Sequence, residues 1–191
     1  MNLLLASTSR YRKKLLERLC LPFACRDPGV DEHPLHGESP QDLAARLAMA
    51  KARAVGATAP DAWVLGSDQV AALDGQCMGK PGVHAAAAAQ LQASSGKTVE
   101  FFTAVALVRG EPAHARCEVH STRVTFRTLE DAEIERYLAA ETPYDCAGSF
   151  KCEGLGIALF ERIESDDPTA LEGLPLITTC RLLRAAGFTL P

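Results

Sequence analysis

The stretch LLLASTSRYRKKLL, residues 3–16, holds the transition that sets the fold class. The run NLLLA at residues 2–6 is short and apolar on both faces, as in a buried strand. The residues after it have the cadence of a helix start, with Ser7 or Ser9 as the cap and Leu15, Leu16 and Leu19 as the apolar stripe. Arg10, Arg12, Lys13 and Lys14 fall in its first turns, where the helix dipole disfavours positive charge. The free N–H groups of such a terminus form a ready anion site, so a phosphate group would reverse the sign of that cost. A solvated basic face is the competing reading, with salt screening the penalty to about a few tenths of a kcal/mol. For one cation the solvated face wins; for a cluster joined to a strand, a serine turn and a helix, phosphate is favoured. Tyr11 shares the helical row of Leu15 and Leu19, which points to core packing.

Outward from this start, helices and strands mix throughout. DPGVDEHPLHGESP is a loop rich in Pro, Gly and acids. PQDLAARLAMAKARAVG reads as a helix capped by Ser39, with Pro40 at its first position and Gly56 at its end. AWVLGSDQVAALDGQCMGKP reads as two strand segments ending in an Asp74–Gly75 turn. HAAAAAQLQASSG is an Ala-rich helix stopped by Gly96. TVEFFTAVALVRG, ARCEVHSTRVTFRTL and LGIALFERI read as strands. Thr128 and Asp131 suggest a capping box for LEDAEIERYLAA, and LPLITTCRLLRAAG closes the chain as a helix ending at Gly187. The class is α/β with a mixed sheet, in one domain spanning residues 1–191. SSGKT at residues 94–98 is not a phosphate loop: Leu91 stands where that pattern needs glycine, and the order is helix then strand.

The 191 residues suffice for one substantial core, and the net charge of −4 argues against a general nucleic-acid binder. A local basic cluster in an acidic chain points instead to a confined anion site. No apolar run approaches membrane-spanning length, and no basic region precedes the first apolar run, so the N-terminus reads as the start of the fold. Seven scattered cysteines without a Cys-x-x-Cys pair read as small, partly buried residues in a reducing cytoplasm, not as a disulfide or zinc framework.

Two further constellations carry chemistry. In GSDQV, Asp68 follows a strand-like run and could bind a metal, take a proton from water, or simply cap a turn. Asp31 and Glu32 are hard-metal donors or surface charges, and Lys51 and Lys80 are phosphate contacts or solvated cations. In CAGSFKCEGLG, Gly148, Gly154 and Gly156 surround Glu153, which lets the backbone bend or approach a ligand.

Taken together, LLLASTSRYRKKLL, VDE, LAMAKA, GSDQV, GKP, SGKTVEFFT, CAGSFKCEGLG and LEGLPL resemble the Maf family of nucleotide pyrophosphatases, in that family's order and over essentially the whole chain. The resemblance implies a Maf/Ham1-like mixed twisted sheet with flanking helices and two lobes around a deep cleft. It implies a cytoplasmic homodimer that needs a divalent metal, Mg or Mn, and cuts a nucleoside triphosphate between its α and β phosphates, with no nucleic-acid or membrane partner.

By the same resemblance Asp68 matches the general base. Ser7, Arg12 and Lys13 match the phosphate-binding turn, and Glu32, Lys51 and Lys80 match other polar cleft residues, with Asp68 and Glu32 as metal ligands. Tyr11, Gln69 and Glu153 match positions linked to base choice. GSDQV and CAGSFKCEG look like the branch acting on 7-methyl-GTP, where the dTTP and UTP branch has Thr after the Asp and Gln for Glu153. N7-methylation makes guanine cationic, so an aromatic face attracts it by about 0.5–2 kcal/mol. A carboxylate can pair with its N1–H and amino group while opposing its charge. Tyr11 stands where that branch can carry tryptophan, a stronger cation–π partner. The rival readings are a pyrophosphatase for another base (GTP, UTP, CTP or a modified pyrimidine nucleotide) and a nucleotide-binding cell-division regulator with incidental turnover.

Overall fold

A computed structural model describes residues 1–110 and 114–191. Seven strands, β1 (Leu3–Ala6), β2 (Ala24–Arg26), β3 (Trp63–Leu73), β4 (Gln76–Met78), β5 (Thr98–Arg109), β6 (His114–Phe126) and β7 (Phe160–Glu164), make one sheet in the order β2-β1-β3-β5-β6-β7, with β4 paired to β3. The helices are α1 (Arg10–Glu17), α2 (Pro40–Gly56), α3 (His84–Ser94), α4 (Asp131–Glu141) and α5 (Leu176–Ala185). Strands β2, β1 and β3 are parallel, and the rest pair antiparallel, so the sheet is mixed as the sequence predicts. Parallel neighbours need crossovers, which α1 and α2 supply.

Strand β3 joins the two halves. It runs parallel to β1, with Ala6 opposite Gly66, and antiparallel to β5, with Asp68 opposite Ala104. Strand alternation then sorts its side chains. Val64 and Val70 pack with Leu43, Leu47, Ala48, Ala52 and Val55 of α2. Leu65 packs on the opposite face with Leu15 and Leu16 of α1 and Leu182 and Leu183 of α5. Gly66 decides how close α2 comes. A Cβ there would lie 2.3 Å from the Ala48 carbonyl oxygen and 2.8 Å from the Ala52 nitrogen. Its missing side chain therefore lets α2 rest on β3 two residues before Asp68. The helix begins as expected, with Ser39 Oγ accepting from the Asp42 N–H at 3.1 Å and Pro40 in the first turn.

A third cluster fills the space between β5, β6, α3, α4 and residues 150–160. Phe101, Phe126, Phe150 and Phe160 meet edge-on with ring centroids 4.7 to 5.6 Å apart. Such pairs add about 0.5–1.5 kcal/mol each beyond burial, which anchors the segment that carries Glu153.

Several local expectations are corrected. The capping box at Thr128 does not form: α4 is preceded by Glu130 with no side-chain cap. Leu129 is instead buried and gives its N–H to Ser95 Oγ at 2.8 Å, which holds it outside the helix. Only the second half of LGIALFERI is strand, because Leu155–Leu159 is a 3-10 turn. Leu19 lies beyond the end of α1, although it still packs on the core. The cysteines are free, but Cys20, Cys25 and Cys77 are exposed rather than partly buried. The SSGKT stretch is a helix end followed by β5, as expected. Among the described residues no helix is long and apolar enough to cross a membrane.

Candidate active site

A cleft of about 820 Å³ opens beyond the carboxyl ends of β1 and β2, where ligands of parallel sheets commonly sit. It is walled by residues of the β1–α1 turn, the loop after β2, α2 with Lys51, the middle of β3, Lys80, part of the segment between Asp145 and Glu153, and residues 171–173. Pairing of β1 with β3 places Ser7 just past Ala6 and beside Ser67 and Asp68.

Ser9, not Ser7, caps α1, with its Oγ accepting from the Arg12 N–H at 3.4 Å. Ser7 is buried and its Oγ accepts from the Ser9 N–H at 3.0 Å, which shapes the turn. The four cations of this start part company. Arg12 lines the cleft and donates from Nε to the Gly173 carbonyl at 3.0 Å. Burial pulls its guanidinium below the usual arginine range, against the opposing charges of Asp68 and Glu32. Arg10 sits at the rim, 2.8 Å from the Tyr11 hydroxyl and 3.4 Å from Asp145. Lys13 is exposed and 3.8 Å from Glu17, and Lys14 is exposed, so neither contributes to the cleft wall.

Lys51 and Asp68 are the buried charges at the centre, 4% and 6% exposed. Lys51 Nζ donates to Asp68 Oδ1 at 2.6 Å and to Glu32 Oε1 at 2.5 Å. One ammonium therefore gathers two carboxylates from a strand and a loop. Burial pushes the Glu32 carboxyl up, but the hydrogen bond and charge of Lys51, with Lys80 and Arg12 behind it, leave it below the usual range. Arg12, Lys51 and Lys80 thus make one end of the cleft cationic around this pair.

The other end is acidic. Glu153 projects from a tight loop: a Cβ on Gly156 would meet the Lys151 carbonyl oxygen at 2.3 Å, so the chain can close there only through glycine. Among the described residues the Glu153 carboxylate meets only the Cys152 thiol, at 3.6 Å. That thiol is pushed up to about 12 by burial and by the charges of Glu153 and Glu172. Tyr11 is half-buried and lines the cleft, not the core, which corrects the packing expectation for it. The Arg10 guanidinium lies 4.9 Å from its ring centroid, and burial pushes its phenol up to about 12, so the ring is neutral at ordinary pH.

Gln69 points to the opposite face of β3 from Asp68. Its Nε2 lies 3.0 Å from each of the Ala170 and Leu171 carbonyls and from Thr103 Oγ1. Thr103 Oγ1 also donates to Ala170 O at 2.9 Å, and Ser67 Oγ lies 2.9 Å from Gly173 O. The 3-10 turn Ala170–Glu172 is therefore fastened to the sheet by Gln69, next to Asp68 on β3, and by Thr103, opposite Gln69 on β5. Ser67, Thr103, Glu172 and Gly173 escape the sequence reading of the site. LEGLPL marks the last two, but nothing in its residue types says what they face.

Asp68 and Glu32 are hard oxygen donors already drawn to one cation, so they suit a magnesium-like ion. Among the described residues no group of three or more His, Cys, Asp or Glu is gathered to hold a metal. Two carboxylates with the remaining positions left to phosphate oxygens and water is the pattern of Mg²⁺, not of a closed protein cage.

The chain is 62% identical over 186 residues to the 7-methyl-GTP pyrophosphatase of Albidiferax ferrireducens, covering 97% of this chain and 94% of that protein. It is 60% identical over 193 residues to the 7-methyl-GTP pyrophosphatase of Xanthomonas oryzae pv. oryzae, covering 100% of this chain and 99% of that one. A nucleoside-triphosphatase (dITP/XTP pyrophosphatase) structure from Mycobacterium abscessus aligns with 68% of this chain and 76% of its own at 21% identity, with a TM-score of 0.46. The model of the family described as Maf-like protein matches residues 2–186, and the chain belongs to the Maf family.

Proposed function

We propose that this chain is a nucleotide pyrophosphatase that hydrolyses 7-methyl-GTP to 7-methyl-GMP and pyrophosphate. The observation that carries the reading is the division of charge in the cleft: the cations Arg12, Lys51 and Lys80 gather at one end, where they outnumber Asp68 and Glu32, and Glu153 and Glu172 lie at the other. A substrate with an anionic tail and a cationic base fits that polarity in one orientation only. The names and full-length identity of the relatives support the same substrate.

In this reading Ser7, Arg12, Lys51 and Lys80 bind and orient the triphosphate at the cationic end. Asp68 is the general base. Its Oδ1 is held by Lys51. Among the described residues Oδ2 makes no hydrogen bond, which leaves it free to take a proton from water. The water oxygen bonds to phosphorus, the bridging P–O bond between α and β phosphates breaks, and pyrophosphate leaves. Such a base contributes about 10²–10⁴-fold in rate. Asp68 and Glu32 would hold the divalent cation, Mg or Mn, which neutralises phosphate charge when bound. Tyr11 stacks on the methylated base and Glu153 pairs with its edge. The family resemblance adds a cytoplasmic homodimer to this reading.

The test is pyrophosphate release from 7-methyl-GTP, GTP, dTTP, UTP and CTP, with magnesium and then manganese, for the unaltered chain and Asp68→Asn. Turnover of 7-methyl-GTP that the variant loses, with nucleotide binding retained, supports the reading. Turnover of another base keeps the chemistry and discards the substrate. Binding without turnover favours a nucleotide-binding regulator.

A further inference from the structure

The carboxylate of Glu172 has no role in the proposed activity beyond adding to the acidity of one end of the cleft. It lines the cleft together with Glu153, and the two also share the wall of a smaller adjoining pocket. Its side chain is half-buried, and among the described residues it makes no hydrogen bond or ion pair. A carboxylate placed in a protein wall without a partner is destabilised unless a cation arrives. Burial and the neighbouring charge of Glu153 push its carboxyl above the usual range, and among the described residues the cation opposing them is Arg18. The position is nevertheless fixed with care. Gln69 gives its amide hydrogens to the carbonyls of the two residues before Glu172, and Thr103 holds the first of them.

We propose that Glu172 is a second specificity determinant, held toward the positively charged base by the turn that Gln69 fastens, and that Gln69 acts on base choice through this turn as a positioning residue. The inference rests on the proposed 7-methyl-GTP activity. With Glu153 alone the cleft offers one negative charge to a base of one positive charge. With both it offers two, and the unmethylated base, which carries no net charge, lacks the ion–ion attraction to either carboxylate. Charge is therefore a filter separate from the hydrogen-bonding edge, which guanine presents in both nucleotides. Glutamine at residue 69 has two amide hydrogens for the turn's carbonyls, where a residue with a single hydroxyl proton could serve only one.

The experiment measures kcat/KM for 7-methyl-GTP and for GTP on the same preparations of the unaltered chain, Glu172→Gln, Gln69→Ala and the double variant. Taking the ratio of the two substrates cancels any difference in the folded fraction. Glu172→Gln removes the charge and keeps the shape, and the ratio falls about tenfold, the scale of one charge pair in a partly solvated site. The loss appears in KM for 7-methyl-GTP, not in kcat. Gln69→Ala lowers the ratio too, and the double variant falls no further than the lower of the single variants, because both act through one carboxylate. An unchanged ratio in Glu172→Gln, while the unaltered chain prefers 7-methyl-GTP, overturns the inference and leaves the proposed activity standing. Losses that multiply in the double variant overturn the role given to Gln69. Absence of any 7-methyl-GTP turnover in the unaltered chain overturns the activity itself, and the inference with it.

Discussion

Replacing Lys51 with methionine tests the centre of the cleft most severely. The ammonium is 4% exposed and bonded to Asp68, which is 6% exposed, and to Glu32, whose side chain is 55% exposed. Glu32 can return to water when the ammonium goes. Asp68 is held on β3 at the cleft wall and is far less exposed, so it regains little hydration when the ammonium goes. Removing one partner of a buried ion pair leaves the other uncompensated, at about 3–5 kcal/mol. The methionine stem keeps the packing of the lysine stem, so most of the loss is electrostatic. Urea unfolding at about pH 7.5 reads it as a shift in midpoint at constant slope. The same substitution made in an Asp68→Asn background should cost at least about 2 kcal/mol less, because no buried charge is left unpaired. A loss under about 1 kcal/mol, or an equal loss in both backgrounds, would refute the reasoning.

Gly66→Ala drives a methyl into the Ala48 carbonyl oxygen and Ala52 nitrogen. It should destabilise by about 2 kcal/mol or more in the same unfolding assay and lower turnover as α2 carries Lys51 away from Asp68. Arg12→Ala should raise KM for the nucleotide about tenfold, the weight of a charge-assisted hydrogen bond, while Lys13→Ala costs at most about twofold, as steady-state kinetics would show. Acid stability carries a further signature. Hydrogen bonding from Arg46 holds the Glu38 carboxyl at about 2, against 4.5 for the free group. That contribution is full above pH 4.5 and is lost as pH falls toward 2. A melting-temperature series should show Arg46→Ala losing about 1 kcal/mol or less at neutral pH and converging on the parent near pH 2.

Much of the fold was legible because local signals agreed with the tertiary ones. The apolar run before STS, Pro40 after Ser39 and the Asp74–Gly75 turn each fall where the structure uses them. The capping box at Thr128 failed because Leu129 gains more from burial and from Ser95 than from a helical position. The grouping of Lys51, Asp68 and Glu32 in one cleft was legible, because each is a polar or charged residue the sequence had singled out. The site was not legible where direction decides. Arg12 and Lys13 are adjacent cations, yet one turns to Gly173 and the other to Glu17. Tyr11 shares the helical row of Leu15, but it sits a turn nearer the helix start, where the row leaves the core and enters the cleft. Glu172 comes from a distant segment of the chain, which Gln69, Thr103, Ser67 and Arg12 join to the site through hydrogen bonds to its backbone carbonyls. Such bonds leave no mark on the side chains of the residues that accept them.

The central claim is that the cleft reads a positive base at one end and a polyphosphate at the other. Its most direct test is kcat/KM of the unaltered chain for 7-methyl-GTP and for GTP, side by side in magnesium, with products separated by chromatography. The account predicts a preference for 7-methyl-GTP of about tenfold or more, with 7-methyl-GMP and pyrophosphate as products. Equal turnover of the two nucleotides, or release of inorganic phosphate in place of pyrophosphate, would contradict it.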